Sequence, residues 1–227
     1  MKYLLDTANI ESIKKYIAIL PIDGITSNPS IVKREGKVDF FNHFKTIRSI
    51  IGFERSLHVQ VTSQDCEGML EDAEAILDHI DQSVFVKLPV TLEGLKAMRI
   101  LKAKGVQITA TAVYSKAQAF LALEAGADYI APYFNRIQNL GNDPKDLIQS
   151  LSMMIDKNQY PCKILAASFK SMDQVSDAFE AGAHTATMSV DLIVDALNQA
   201  EIHKAVDVFE QDWESIYGKG IRIKDLK

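Results

Sequence analysis

Val84-Phe85-Val86-Lys87-Leu88-Pro89-Val90 is a run of six apolar residues interrupted by one lysine. A run so short and so rich in β-branched side chains reads as a strand buried on both faces, the habit of parallel sheets. A lysine does not belong in such a strand. Burying an unpaired ammonium costs several kcal/mol, so a lysine placed there lowers its pKa and becomes the neutral amine that attacks a carbonyl to give a Schiff base. The competing reading is a lysine at a strand end that snorkels to water past Pro89. On Lys87 alone the two stand level, and the rest of the chain has to decide.

Outward from this strand, short apolar runs alternate with amphipathic stretches of helical period, the pattern of βαβ units on a parallel sheet. Strands are expected at residues 3–7, 24–28, 57–61, 84–89, 107–112, 129–134, 163–168 and 185–190. Helices are expected at 10–19, within 40–51, and at 67–80, 92–103, 116–125, 146–157, 172–181 and 192–200. Lys104-Gly105-Val106, Ala125-Gly126-Ala127 and Ala181-Gly182-Ala183 each put a glycine where a helix stops through a left-handed residue. Eight such units without a linker predict an α/β fold, a (β/α)8 TIM barrel, over residues 1–200 as a single catalytic domain. An open doubly wound sheet is the alternative, but Asp6-Thr7-Ala8-Asn9 is not the glycine-rich loop it would carry after its first strand. Residues 201–227 are expected to form an extra C-terminal helix, roughly Ile202 to Tyr217, and a solvated basic tail. That helix either caps the barrel or covers a neighbouring subunit.

Composition narrows the class. The chain has 227 residues, within reach of the roughly 250 of a typical barrel. Its 47% apolar and 24% charged residues are those of a soluble globular protein. A net charge of -5 without a basic stripe argues against nucleic acid as a partner. No window approaches the roughly 18 apolar residues of a membrane span, and Asp6 interrupts the start too early for a signal peptide. Cys66 and Cys162 have no partner at metal or redox spacing and read as buried thiols. These features together predict a cytoplasmic protein without membrane attachment.

In a barrel the chemistry sits where the strands end. Nearly every predicted strand carries a polar residue there: Asp6, Thr26 with Asn28, Gln60, Lys87, Thr109 with Thr111, Tyr133 with Asn135 and Arg136, Ser168 with Lys170, and Ser189. Singly each has an ordinary explanation, Asp6 as a helix cap, Asn28 as a turn residue before Pro29, Thr111 as a strand former, Tyr133 as a core ring with one wet end. Their shared address is what counts. A lysine among acids, amides and hydroxyls makes a site that can form, protonate and release a Schiff base. The five histidines are scattered without metal-ligand spacing, so neither a metal nor an organic cofactor is implied.

These residues resemble the small transaldolase family, its fructose-6-phosphate aldolase and transaldolase-like subgroup, over essentially the whole chain. The matching motifs are Leu5-Asp6-Thr7-Ala8, Gly24-Ile25-Thr26-Ser27-Asn28-Pro29-Ser30, Val86-Lys87-Leu88-Pro89-Val90-Thr91 with Glu93-Gly94, Thr111-Ala112-Val113-Tyr114, Ala131-Pro132-Tyr133 with Asn135-Arg136, and Ala166-Ala167-Ser168-Phe169-Lys170. The resemblance implies that Lys87 forms the Schiff base and that Asp6 and Asn28 support proton transfer and sugar binding. It also implies that Arg136, Ser168 and Lys170 hold a phosphate, and Thr26 and Asn135 are expected as further substrate-binding residues. It further implies a ring-based homo-oligomer, pentamers pairing into a decamer.

Two positions divide the family: its transaldolases resemble one another in Glu on the third strand and Phe on the sixth, its aldolases in Gln and Tyr. This chain has Gln60 and Tyr133. A tyrosine hydroxyl with a water held by Gln60 and Thr111 supplies the acid that protonates and releases the enamine. The expectation is therefore a class I aldolase that cleaves fructose 6-phosphate to dihydroxyacetone and glyceraldehyde 3-phosphate. The alternatives are a transaldolase moving dihydroxyacetone units between sugar phosphates in the pentose phosphate pathway, and a barrel that only binds a sugar phosphate.

Overall fold

The structure, a computed structural model, describes residues 1–226. Strand β1 (Lys2–Asp6) is followed by α1 (Ile10–Ile17), β2 (Ile22–Thr26), the short α2 (Pro29–Arg34), α3 (Phe40–Ile51) and β3 (Ser56–Gln60). The chain continues through α4 (Cys66–His79), β4 (Phe85–Pro89), α5 (Leu92–Ala103), β5 (Ile108–Val113), α6 (Lys116–Glu124) and β6 (Tyr129–Pro132). It completes the barrel with α7 (Phe134–Asn139), α8 (Pro144–Asn158), β7 (Lys163–Ala166), α9 (Met172–Glu180) and β8 (Thr185–Met188). The eight strands pair in parallel in chain order and close on themselves, the (β/α)8 TIM barrel that the sequence predicts.

Register explains how a nearly continuous apolar strand still builds a polar mouth. Side chains alternate across the barrel wall, so Leu5, Ile25, Val59, Val86, Leu88 and Ala110 face the surrounding helices and are almost fully buried. The inward set stacks in layers. Leu4, Phe85, Tyr129 and Leu165 pack as one apolar cluster, while Asp6 pairs with Thr26, Gln60 with Lys87 and Lys87 with Thr109 across neighbouring strands. Gly24 is demanded by this interior, because a Cβ there would run into the Ser56 side chain and carbonyl.

The helices begin where the strands end, and short polar side chains start them. Asn9, Asp39, Asp65, Thr91, Ser115 and Ser171 each accept the backbone N–H three residues on, as N-caps. Asn9, not Asp6, caps α1, which leaves the Asp6 carboxylate for the barrel interior.

Two helices depart from the expected eight units. Asn28 caps α2 rather than ending a strand, with Pro29 at the first helical position where its missing N–H costs nothing. The sixth strand stops at Pro132; Tyr133 makes only an isolated bridge to Ala167, and Asn135 and Arg136 stand on α7. Phe134 and Asn135 give their N–H groups to Ala167 and Ser168 carbonyls, which bends the chain out of the strand and into the helix.

The chain divides into two compact units, one up to Val190 and one from Asp191 onward. The second carries α10 (Val190–Leu197) except its first residue, α11 (Ala200–Tyr217) and a 3-10 turn at Ile223–Asp225. The expected solvated tail is folded locally: Trp213 Nε1 donates to the Ile221 carbonyl at 2.7 Å, and Asp225 accepts the Arg222 N–H at 3.0 Å. Lys227, part of that expected tail, lies outside the described residues.

Candidate active site

Lys87 is 5% exposed, and its Nζ donates to the Ser27 carbonyl at 2.6 Å. Burial pulls the amine pKa below the ordinary lysine value, and the Asp6 carboxylate pushes the other way without cancelling it. Beneath it lies His58, fully buried, with Nδ1 at 2.8 Å from Thr109 Oγ1 and Nε2 at 3.0 Å from Ser56 Oγ, its ring stacked on Phe85. Burial and the Lys87 charge hold His58 well below its usual pKa, so the ring is neutral at physiological pH.

Around the amine the strand ends supply three kinds of group. Thr26 Oγ1 donates to Asp6 Oδ1 at 2.6 Å and lies 2.6 Å from Thr187 Oγ1; since its single proton goes to the carboxylate, Thr187 donates to Thr26. Thr111 Oγ1 and the Tyr133 hydroxyl are 2.8 Å apart. Burial raises the Tyr133 pKa, with Thr111 and Arg136 opposing, so the phenol keeps its proton at neutral pH. Gln60 Oε1 is buried without a hydrogen-bond partner among the described residues. A cavity of about 290 Å3 lies beside Gln60 between the barrel wall and the helices, lined by Asn28, Val32, Phe40, Val59 and Thr62, and Lys87, Asp6, Thr111 and Tyr133 do not line it.

The loops after β6 and β7 form the far side. Ser168 has a φ of 66°, a left-handed conformation rare for a side chain-bearing residue, and its carbonyl accepts the Asn135 N–H. Asn135 Oδ1 accepts from Gln174, whose own Oε1 accepts the Lys170 N–H at 2.8 Å. Arg136 is exposed, donates to the Tyr114 hydroxyl at 3.1 Å and lies over the Tyr133 ring at 4.9 Å. Hydrogen bonding to Tyr114 raises the already high Arg136 pKa.

Direct side-chain contacts therefore join Asp6 with Thr26, Thr111 with Tyr133, and Tyr133 with Arg136. Lys87 is tied to Asp6 electrostatically and to Gln60 by register, whereas Asn28 spends its side-chain oxygen on capping α2. Sequence reading missed the Ser27 carbonyl, Thr187, His58, Tyr114 and Gln174. It assigned the eighth strand end to Ser189, while Thr187 is the residue that reaches Thr26. Strand alternation could have found Thr187 and His58, as each stands an even number of residues from a predicted inward polar position. Among the described residues no three of His, Cys, Asp and Glu gather as a metal-binding group, and no helix is long and apolar enough to cross a membrane.

A closed barrel with a buried, pKa-lowered lysine on one of its strands and hydroxyls and a carboxylate around it defines a barrel enzyme. Residues 3–225 match the family described as Transaldolase/Fructose-6-phosphate aldolase, and the chain belongs to that family. It is 50% identical over 213 residues, 94% of this chain and 96% of the relative, to a protein of Streptococcus pneumoniae (strain ATCC 700669 / Spain 23F-1) described as "Probable fructose-6-phosphate aldolase". The protein is thus an enzyme of the aldolase/transaldolase type.

Proposed function

We propose that this enzyme is a class I aldolase that cleaves fructose 6-phosphate reversibly to dihydroxyacetone and glyceraldehyde 3-phosphate through a Schiff base on Lys87. The observation that carries the reading is the Lys87 amine, buried midway along β4 with its pKa lowered and a carboxylate near enough to act on it. The neutral amine adds to the C2 carbonyl, and loss of water gives the protonated imine. As the C3–C4 bond breaks, the C4 hydroxyl gives up its proton and becomes the aldehyde carbonyl of glyceraldehyde 3-phosphate, while the electron pair passes into the imine to form an enamine. Asp6 and a water at Tyr133 relay these protons; protonation of the enamine at C3 and hydrolysis then release dihydroxyacetone and restore Lys87.

Arg136, Ser168 and Lys170 hold the substrate phosphate as charge-assisted or neutral donors, where barrels often bind one. Asn28 and Asn135 bind the sugar hydroxyls, and Thr26, whose hydroxyl is held between Asp6 and Thr187, acts on the substrate through the Asp6 carboxylate it orients. The choice of aldolase over transaldolase is supported by Tyr133 and Gln60: a protonated phenol beside Thr111 is an acid for the enamine, and a transaldolase does better to keep that enamine for an acceptor. The enzyme acts in the cytoplasm, on sugar phosphates of the kind the pentose phosphate pathway carries. It assembles as a ring-based homo-oligomer, a decamer, in which the C-terminal region 201–227 packs on a neighbour. This last point is supported by α11, none of whose residues is buried and whose Val206, Phe209 and Ile216 are exposed.

The purified protein tests the reading directly. Borohydride with dihydroxyacetone is expected to leave a reduced adduct on Lys87, and Lys87→Met to abolish both the adduct and cleavage. Side by side, cleavage of fructose 6-phosphate is expected to outpace transfer from sedoheptulose 7-phosphate to glyceraldehyde 3-phosphate. Faster transfer would make the enzyme a transaldolase, and full activity without Lys87 would end the Schiff-base mechanism.

A further inference from the structure

We propose that Tyr114 is a positioning residue that holds Arg136 across the face of Tyr133, and so prepares the site for a phosphorylated aldehyde. The inference rests on the phosphate-binding part of the function proposed above. Arg136 is an exposed side chain on a six-residue helix, and an unrestrained arginine loses rotamer freedom whenever it binds an anion. Here that freedom is already spent. Its Nη1 donates to the Tyr114 hydroxyl at 3.1 Å, its guanidinium lies 4.9 Å from the centre of the Tyr133 ring, and the Tyr114 ring meets the Tyr133 ring edge-on at 5.5 Å and 73°. Each of the three groups touches the other two.

Tyr114 is itself fixed. Its N–H donates to Gln118 Oε1 at 2.9 Å, and Gln118 Nε2 donates to the carbonyls of Val90 and Ala112 at 3.1 and 3.2 Å, tying the loop to the ends of β4 and β5. Ala112 has a φ of 57°, which an alanine keeps only where its surroundings impose it. This turn shifts the pairing of β5 with β6 so that Val113 lies against Pro132 and accepts the Tyr133 N–H, setting Tyr114 beside Tyr133. One arm of the guanidinium is used by Tyr114, and the planar fork keeps further N–H groups for two oxygens of a phosphate.

Tyr114→Phe removes the hydroxyl and keeps the ring and its edge contact. Its KM for glyceraldehyde 3-phosphate in condensation with dihydroxyacetone is expected to rise about three- to tenfold, the worth of one net hydrogen bond. The KM for unphosphorylated glyceraldehyde should stay where it was. Equal changes for the two aldehydes, or none for either, would overturn the proposal. Calorimetric titration with inorganic phosphate needs no turnover and should show a similar weakening. On an Arg136→Leu background Tyr114→Phe should weaken phosphate binding no further, and an additional loss there would also overturn the inference. A wild-type enzyme that turns over neither aldehyde would defeat the proposed reaction, while the phosphate titration would still decide the role of Tyr114.

Discussion

At Lys87 burial and a neighbouring carboxylate pull in opposite directions, and burial wins. The lysine is kept from packing as a bare cation by the Ser27 carbonyl, which accepts its proton at 2.6 Å and fixes where the nitrogen points. Tyr133 is set the other way. Its raised pKa keeps it a phenol, and the short contact with Thr111 aims the hydroxyl. If it serves as the acid that discharges the enamine, Tyr133→Phe should lower cleavage by about 10²- to 10⁴-fold, the range of a general acid. The same variant should still be trapped on Lys87 by borohydride. Unchanged cleavage would remove Tyr133 from the proton path.

The element that carries the lysine is braced from behind. Gly94 lies in the first turn of α5, and a Cβ there would fall inside the van der Waals shell of the Pro89 carbonyl at the end of β4. Alanine is the better helix former by about 1 kcal/mol, so propensity alone favours Gly94→Ala. The clash is with backbone and cannot be relieved by a rotamer; overpacking of this kind costs about 1–3 kcal/mol. Gly94→Ala is therefore expected to be net destabilising in urea unfolding, and to slow turnover because the strand end that holds Lys87 must move. A variant as stable as its parent would show that α5 can slide freely on β4.

On the scale of the whole molecule, the face opposite the mouth is tied by an ion pair between buried Arg48 and partly buried Asp81. Arg48 is 6% exposed; its Nε donates to Asp81 at 2.7 Å, and its Nη1 to the carbonyls of Gly52 and Arg55 at 2.9 Å each. One side chain thus ties the end of α3 to the approaches of β3 and β4. Burial alone would raise the Asp81 carboxyl, but donation from Ser83 and Arg48 holds it below its ordinary value. A depressed carboxylate contributes stability above the unfolded pKa of about 3.9 and loses it as pH falls through the folded value. Arg48→Met leaves Asp81 with its Ser83 donors but without its cation, and should cost about 1–3 kcal/mol at pH 7. That cost should shrink below pH 4 as the carboxyl takes up a proton. A loss independent of pH would mean that Arg48 acts through packing and its carbonyl contacts alone.

The sequence by itself determined the eight alternating units, the closed barrel and the strand ends on which Asp6, Thr26, Gln60, Lys87 and Thr111 stand. It could do so because the period of apolar residues is a local property of the chain, 2 in strands and 3.6 in helices, and because parallel strands put their polar ends on one face. Helix α2 has a local start signal in Asn28-Pro29 but is only six residues long, and α7 was illegible because Tyr133 and Phe134 continue the apolar run of the sixth strand. What starts α7 is a pair of carbonyls, Ala167 and Ser168, on another loop. Only the tertiary structure decided that the Lys87 amine meets a carbonyl sixty residues away, that Thr187 completes the Asp6 and Thr26 pair, and that Tyr114 reaches Arg136. These partners are fixed by barrel closure and by the left-handed turn at Ala112, which set register between distant strands and leave no trace in the spacing of residues along one of them.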